Sequence, residues 1–411
     1  MSFRSTNPAT SLVTHEYPAW TSAQINQALA DVHTANASWA QTGIEQRANS
    51  MREMAKVLQN RREELALIIT EEMGKLLSES RGEIDKCIST CEYYASNTAE
   101  FLANKVTESD ASKSYVIHQP LGTVLAIMPW NFPIWQVMRF VIPALMAGNT
   151  GVLKHASNVP RCAMAIESIV SEAGFPKNVF RTLMISAAQT AAVIADPRVK
   201  AVTLTGSCEA GRKVASVAGQ HLKKLVLELG GSDPFIVLDD ADLDLAVPVA
   251  VQSRFMNAGQ SCIAAKRFIV TENIADEFVK RFVDAVSALN AGDPQDSATK
   301  LAPMARVDLR DELHEQVTRS VSAGAVALTG CKPLEGTGAY YAASVLDKVT
   351  PDVPAYYEEL FGPVALIIRA KDEADAVRIA NDSPFGLGGS VWSKDVQRGE
   401  NVALQLQCGG A

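Results

Sequence analysis

The sequence predicts an α/β protein that is divided into more than one domain. A chain of 411 residues exceeds what one compact core usually holds, so two or three domains are expected. The first hundred residues have helical periodicity, and from Leu121 onward short β-branched runs alternate with helical segments. Such alternation is typical of parallel sheets covered by helices.

The helical part begins at a capping box. Thr21 and Gln24 have the spacing of that motif, in which the two residues satisfy each other's backbone N–H groups. Apolar residues then recur at intervals of three and four: Ile25, Ala28, Leu29, Val32 and Ala35. This pattern predicts a helix with one buried face, and similar periodicity predicts helices over 51–58, 65–73 and 76–104.

After residue 120, the sequence predicts two successive groups of alternating strands and helices. Strands are predicted over 121–128, 151–154, 180–185, 199–205 and 225–229, with helices over 164–173 and 209–219. A second round starts with a strand over 234–238 and a helix from Asp242.

Composition excludes several classes of protein. The net charge of −8 offers no basic surface for nucleic acid or an anionic membrane. Seven scattered cysteines are unlike a disulfide framework, so a reducing cytoplasm is the expected location. Cys87 and Cys91 have no further ligands nearby, so no metal site is expected. Neither a signal peptide nor a membrane helix is predicted.

A candidate nucleophile lies in the sequence Asn-Ala-Gly-Gln-Ser-Cys, which ends at Cys262. A cysteine in a Gly-containing polar loop near a helix start can be reachable and partly thiolate. Glu228, earlier in the chain, is the candidate base. Both have ordinary alternatives, because lone cysteines are usually small buried side chains and a glutamate can be part of a structural ion pair.

Three further motifs accompany this pair. Asn131 stands between Pro129 and Pro133, where a rigidly held amide can be aimed at developing negative charge. Gly206 and Ser207 lie between a strand and a helix start, a geometry that suits an anion and is also that of an ordinary turn. Neither G-x-G-x-x-G nor a P-loop is present. The last motif is Glu-Glu-Leu-Phe-Gly-Pro over 358–363.

Taken in the order in which they occur along the chain, the four motifs resemble the NAD(P)-dependent aldehyde dehydrogenase superfamily, and most closely the bacterial succinate-semialdehyde dehydrogenases. The resemblance runs from Asn7 to the last residue. It implies a Rossmann-type cofactor domain over 1–101 and 121–229, a small bridging β element over 102–120 that serves oligomerisation, and an α/β catalytic domain over 230–411.

The resemblance also implies a mechanism. The Cys262 thiolate adds to an aldehyde, the Asn131 amide and the Cys262 N–H hold the oxyanion, and nicotinamide accepts the hydride. Glu228 then activates the water that hydrolyses the thioester. The apolar neighbours Val226, Leu227 and Leu229 are expected to raise the pKa of Glu228.

The same resemblance implies the residues that bind the cofactor. They are Trp130, Lys154, Gly206, Ser207, Glu359 and Phe361. Ser157 stands where strictly NAD-dependent relatives usually have a glutamate that repels a 2′-phosphate. A neutral residue there predicts the use of NADP beside NAD.

Arg139 indicates the substrate. An arginine at this offset from Asn131 resembles the residue that pairs with the distal carboxylate of succinate semialdehyde, although a helix arginine can equally pair with an acidic neighbour. A second arginine that is common in those relatives is replaced by Met256. Trp135 is expected either to line the substrate channel or to lie in the core.

Relatives are expected to continue for about fifty residues beyond Ala411, so the chain reads as a truncated enzyme. The complete chain is expected to form a homodimer or homotetramer. Three alternatives remain open: an aldehyde dehydrogenase of other or broad specificity, a truncated homologue that only binds nucleotide or subunits, and a cysteine hydrolase. The last would need a histidine beside Cys262.

Overall fold

The computed structural model describes residues 2–411, which divide into two compact units. The first unit comprises residues 2–6, 13–72 and 80–228, and the second comprises residues 7–12, 73–79 and 229–411. Within residues 2–411, no helix has the combination of length and apolar content that a membrane crossing requires.

Among the described residues, the first unit contains nine strands, six complete helices and most of two further helices that continue into the second unit. The strands are β1 (Ser2–Thr6), β2 (Val13–Pro18), β3 (Lys105–Val106), β4 (Tyr115–Val116), β5 (Thr123–Met128), β6 (Thr150–His155), β7 (Phe180–Thr182), β8 (Val199–Thr205) and β9 (Lys224–Glu228). The helices are α1 (Ser22–Trp39), α2 (Ile44–Asn60), α3 (Arg62–Met73), α4 (Leu77–Phe101), α5 (Trp135–Met146), α6 (Pro160–Glu172), α7 (Ala187–Ala195) and α8 (Cys208–Gln220).

The second unit is built from the remaining elements. Its strands are β10 (Asp233–Val237), β11 (Ala265–Thr271), β12 (Val326–Thr329), β13 (Ser344–Asp347), β14 (Val364–Ala370) and β15 (Ser390–Trp392). Its helices are α9 (Leu243–Phe255), α10 (Glu272–Ser287), α11 (Val307–Ser322), α12 (Glu373–Asn381) and α13 (Val396–Ala403), with 3-10 turns at Met256–Gly259 and Pro354–Tyr356.

The central sheet of the first unit has the order β7-β6-β5-β8-β9, and all its strands are parallel. The predicted alternation of strands and helices is confirmed, and Thr21 and Gln24 form the predicted capping box. Strand β5 starts at Thr123 rather than at residue 121, because Gly122 has a φ of +124° and is not extended. In a parallel sheet the carboxyl ends of the strands meet at one edge. Lys154, Glu228 and the segment after β5 therefore share that edge.

The sheet of the second unit has the order β12-β13-β14-β11-β10-β15, and only β12 runs antiparallel to its neighbour. Successive residues of β10 enter different cores: Phe235 and Val237 pack on one face, and Ile236 packs on the other. Burial on both faces is characteristic of a parallel sheet covered by helices.

The segment expected to bridge subunits contains a small antiparallel pair, β3 with β4. Its apolar side chains face solvent in the single chain. Val106 is 82% exposed and Val116 is 51% exposed.

Candidate active site

Residues 257–262, which we call the nucleophile turn, lie in the second unit between α9 and β11. Three consecutive residues of the turn have left-handed backbone conformations, with φ of 57° at Asn257, 50° at Ala258 and 72° at Gly259. Such conformations cost side-chain-bearing residues about 1–2 kcal/mol each. They persist only where surrounding contacts impose them.

Buried hydrogen bonds impose this shape. Gln260 is fully buried, and its side-chain amide donates to the Asn257 carbonyl at 3.1 Å while its amide oxygen accepts from the Ala305 N–H at 2.9 Å. The Asn257 N–H donates to the Glu79 carboxylate at 2.8 Å. Burial raises the pKa of Glu79, although the backbone donors act in the opposite direction.

Arg254, which is completely buried, fastens the turn to the loop 358–363. Its guanidinium donates to the carbonyl oxygens of Val364 at 2.8 Å, Leu360 at 2.9 Å and Gly259 at 3.5 Å, and to that of Gly362. Burial lowers the pKa of Arg254 to about 9. Carbonyl oxygens thus replace the water that Nε and one terminal nitrogen of the guanidinium lose, whereas the other terminal nitrogen, Nη1, is buried without a hydrogen-bond partner among the described residues.

Lys266 lies next to the candidate nucleophile. Its ammonium donates to the carbonyl oxygens of Ser261 at 2.8 Å and Cys262 at 2.9 Å, and it lies 3.3 Å from the Glu359 carboxylate. Burial lowers the pKa of Lys266 to about 8, and the Glu359 charge opposes that shift. Cys262 itself is half-buried. No helix starts directly after Cys262, because the chain continues into strand β11.

Glu359 and Phe361 line a groove of about 340 Å³ together with residues of α11. The Glu359 carboxylate accepts the Gly231 N–H at 3.1 Å. A side chain at Gly230 would overlap this carboxylate, and a Cβ at Gly231 would lie 2.6 Å from the Cys262 carbonyl oxygen. The two glycines therefore make room for two groups of the candidate site.

In the first unit, Glu83 of α4 caps the start of α5. Its carboxylate accepts the N–H groups of Ile134 at 2.8 Å and Trp135 at 2.9 Å. A carboxylate at a helix N-terminus is favourable because it also meets the positive end of the helix dipole. The Trp135 ring is half-buried, and the Lys86 ammonium lies 4.4 Å from its centroid.

His155 holds the segment that contains Asn131. Its Nδ1 accepts the Ala156 N–H at 2.8 Å, so the proton resides on Nε2, which donates to the Pro133 carbonyl at 2.7 Å. Burial lowers the pKa of His155 to about 4, so the ring is neutral at neutral pH. Asn131 is only 4% exposed.

Arg139 and Glu228 line the same cavity, of about 670 Å³, between α5 and strands β5, β8 and β9. Arg139 is exposed and donates to the Thr205 hydroxyl at 3.4 Å. Within the described residues of the first unit, no carboxylate is close enough to form a salt bridge with it. Glu228 is half-buried on the edge strand β9, and Val226 is 60% exposed, so the expected apolar surroundings are incomplete on that side.

The start of α8 has the geometry of an anion site. Ser207 is the N-cap, and its hydroxyl accepts the Ala210 N–H at 3.2 Å. The Gly206 N–H donates to the Glu228 carbonyl at 3.0 Å, so this turn and the candidate base are directly linked. The hydroxyl caps the helix, as it would in an ordinary turn, and the exposed helix N-terminus remains suited to a phosphate.

The end of β6 and the loop after it contain Lys154 and Ser157, two of the residues expected to bind the cofactor. Burial lowers the pKa of Lys154 at the end of the strand, whereas Ser157 is exposed. The side-chain nitrogen and oxygen of Asn158 are both buried without a hydrogen-bond partner among the described residues. A buried amide with no partner is costly, and it is what a polar ligand bound at this loop would satisfy.

Sequence motifs did not point to Glu79, Glu83, His155, Arg254 or Lys266. One signal was available for Lys266, since it stands with Arg267 inside an otherwise apolar run, 264–270. A charged side chain in a buried strand needs hydrogen-bond or ionic partners. Its presence in the sequence therefore indicates that polar groups surround it in the fold.

Comparison with known proteins identifies the family. The model of the aldehyde dehydrogenase family matches residues 1–411, and the chain belongs to that family. A protein of Synechocystis sp. named probable succinate-semialdehyde dehydrogenase (NADP+) is 45% identical over 409 residues, which cover 100% of this chain and 90% of the relative. Escherichia coli succinate semialdehyde dehydrogenase (NAD(P)+) is 46% identical over 99% of this chain and 88% of its own length.

The fold agrees with that family. The crystal structure of succinic semialdehyde dehydrogenase from Streptococcus pyogenes in complex with NADP+ superposes with a TM-score of 0.97 at 37% identity, covering 99% of this chain and 90% of that one. The resemblance inferred from the four motifs and the predicted fold class are both confirmed.

The alignments cover nearly all of this chain but not all of the relatives. The family match runs through the last residue of this chain, and the alignments take in about nine-tenths of the relatives' length. The remaining tenth of the relatives lies outside the aligned region.

Proposed function

We propose that the protein oxidises succinate semialdehyde to succinate with NADP or NAD. Two relatives of 45% and 46% identity carry that enzyme's name with NADP+ or NAD(P)+, which supports both the substrate and the cofactor. The observation that carries the proposal is the nucleophile turn, in which a half-buried cysteine is flanked by peptide groups held by buried charges.

Cys262 is the proposed nucleophile and Asn131 the proposed side-chain donor to the oxyanion. The thiolate forms a C–S bond to the aldehyde carbon, and the carbonyl oxygen takes up the negative charge. A nicotinamide cofactor, when bound, supplies the acceptor for the hydride that must leave this carbon. The acyl group then remains on the cysteine as a thioester.

Glu228 is the proposed base for hydrolysis. Its carboxylate takes a proton from water as the oxygen attacks the thioester, the C–S bond breaks, and the thiolate leaves. Retention of this base favours release of a free acid over transfer of the acyl group to another thiol.

The first unit is the proposed cofactor domain and the second the proposed catalytic domain. Lys154, Gly206 and Ser207 are the proposed contacts of the ribose and pyrophosphate, and the neutral Ser157 leaves space for a 2′-phosphate. Trp130, Glu359 and Phe361 are the remaining proposed contacts of the cofactor. The unsatisfied Asn158 amide and the exposed start of α8 support this fit.

Arg139 is the proposed partner of the distal carboxylate. Its guanidinium lines the cavity that Glu228 also lines, and its single described bond, to Thr205, is long at 3.4 Å. A guanidinium that is weakly held by the protein can bind a carboxylate through two parallel N–H···O hydrogen bonds. Trp135 is the proposed apolar wall beside it.

A homodimer or homotetramer in the cytoplasm is proposed as the working form. The seven cysteines support a reducing compartment, and the exposed apolar pair β3–β4 supports a subunit contact. Light scattering on the purified protein tests the oligomer, and a monomeric mass would refute it.

The decisive experiment follows formation of reduced cofactor with succinate semialdehyde. Cys262→Ala is expected to abolish it, whereas Glu228→Gln is expected to accumulate an acyl adduct of Cys262 visible by intact mass. A protein that binds NADP yet turns over no aldehyde would be a non-catalytic homologue. Turnover of butanal as efficient as that of the semialdehyde would indicate broad specificity.

A cysteine hydrolase is the competing class. His314 is the only histidine in the second unit, and its Nδ1 lies 3.2 Å from the Tyr341 hydroxyl. If the protein hydrolyses a substrate without cofactor, and the Glu228→Ala variant retains that activity, the cysteine hydrolase would be favoured.

A further inference from the structure

We propose that Lys266 is a positioning residue for the oxyanion: it fixes the two peptide groups that flank Cys262 and thereby aims the Cys262 N–H at the reacting oxygen. The inference rests on the proposed role of Cys262 as the nucleophile. It assigns a task to a buried ammonium that the mechanism above does not use.

The geometry of the peptide bond carries the first step. The Ser261 carbonyl and the Cys262 N–H belong to one planar, trans peptide unit, so they point in opposite directions. Lys266 donates to that carbonyl at 2.8 Å. Because the oxygen is held on one side, the N–H is held on the other, and rotation of the peptide plane would break the bond.

The next peptide is held in the same way. Lys266 donates to the Cys262 carbonyl at 2.9 Å, so both peptide planes on either side of the nucleophile's Cα are bound to one ammonium group. The backbone dihedrals of Cys262 are therefore constrained from both ends. An oxyanion donor of this kind is effective only when it is oriented before charge develops.

Three acceptors match the three protons of the ammonium group. They are the two carbonyl oxygens and the Glu359 carboxylate at 3.3 Å. A fully buried lysine is expensive to keep, and an apolar side chain of similar length would fill the space. The match of donors to acceptors around the nucleophile explains why a cation stands here.

The Ser261 carbonyl has one other donor, the Ala264 N–H at 3.2 Å. This weaker turn bond does not involve Lys266. Removing the ammonium should therefore loosen the orientation of the peptide without dissolving the turn. That makes Lys266→Met a usable variant.

Two reactions of the same thiolate distinguish the orientation of the oxyanion donor from the reactivity of the sulfur atom. Acylation by p-nitrophenyl acetate passes through a tetrahedral oxyanion: the C–S bond forms, the ester C–O bond breaks, and p-nitrophenolate leaves. Alkylation by iodoacetamide displaces iodide directly and develops no oxyanion. Both are measured without cofactor at the same near-neutral pH, where Lys266, with a pKa of about 8, is mainly protonated. The fraction of thiolate cancels from the ratio of the two rates because both reactions use the same thiolate, and labelling is located by peptide mass.

Lys266→Met should lower the ratio of acylation rate to alkylation rate at least tenfold, since removal of one oxyanion donor costs about 10²–10³. Arg267→Met is the matched control. Arg267 is the next residue of β11, is equally buried, and donates to the carbonyl oxygens of Ser232, Ile379 and Ala380, none of them in the nucleophile turn. Its ratio should stay within about threefold of the wild-type ratio.

If Lys266→Met does not fold, Lys266→Gln carries the test, because its shorter amide cannot reach both carbonyls. An unchanged ratio in the folded variant would overturn the inference, and so would an equal fall in Arg267→Met. A burst of p-nitrophenolate that persists in Cys262→Ala would instead refute the nucleophile itself. Failure of the proposed function is thus distinguishable from failure of this inference.

Discussion

Gly259→Ala tests whether the strained nucleophile turn is held as tightly as its contacts indicate. Gly259 has a φ of +72°, and a Cβ there would overlap the Gly362 carbonyl oxygen and lie 2.6 Å from the Gly362 carbonyl carbon. Arg254 binds that same carbonyl, so the loop cannot move aside without breaking a buried charge-assisted bond.

Two costs add at this position. A left-handed conformation costs alanine about 1–2 kcal/mol, and forcing extra volume into a packed contact costs about 1–3 kcal/mol. The expected destabilisation is therefore about 2–5 kcal/mol. Gly324→Ala supplies the control, because Gly324 lies in the same unit with a φ of +113° and nothing within 4 Å of an added Cβ. It should show the conformational cost alone.

Urea unfolding measures both variants, and alkylation of Cys262 measures the local effect. We expect the midpoint to fall further in Gly259→Ala than in Gly324→Ala. A turn displaced by an ångström should also lose about a hundredfold in turnover with aldehyde. Equal stability of the two variants, with unchanged turnover, would refute the idea that Gly362 and Arg254 confine the turn.

Three other predictions concern the first unit. Ser157→Glu should raise KM for NADP more than tenfold and leave KM for NAD unaffected, because a carboxylate that faces a phosphate costs more than ~1.4 kcal/mol. Unchanged NADP kinetics would show that Ser157 does not face the ribose. Arg139→Leu should lower kcat/KM for succinate semialdehyde about ten- to a hundredfold but spare butanal, and equal losses would make Arg139 structural. Because the pKa of His155 falls from 6.5 to about 4 on folding, the stability that its neutral ring supports is complete above pH 6.5 and is lost as the pH drops to about 4. His155→Asn should abolish this acid-dependent loss of about 3 kcal/mol, and an identical pH profile of unfolding would contradict it.

The fold was predictable from the sequence because its signals are local. Strand β8 begins and ends at the predicted residues 199 and 205, and α8 matches its prediction within one residue at each end. Apolar periodicity and Gly or Pro punctuation are read within a few positions of each other. The error at β5 was also local, since only the positive φ of Gly122 excludes Leu121 and Gly122 from the strand.

The candidate site was predictable only in part. The motifs point to Cys262, Glu228 and Asn131, whose roles stay predictions until variants are assayed. They did not point to Glu83, whose carboxylate caps α5 from fifty-one positions earlier in the chain. Long-range hydrogen bonds of this kind leave no periodic signal, because any acidic residue on the right helix face could make them.

The charged residues that hold the site in place therefore differ in burial from the groups proposed to carry out the chemistry. A proposed chemical group such as Cys262 must remain reachable and only half-buried. A positioning ion such as Arg254 or Lys266 is fully buried and accepts a large desolvation cost that several carbonyl oxygens offset. Removal of such an ion takes a donor from several buried oxygen atoms at once, whereas removal of the thiol leaves little more than a small gap. Variants of Arg254 should consequently lose stability and turnover together, while Cys262→Ala loses turnover alone.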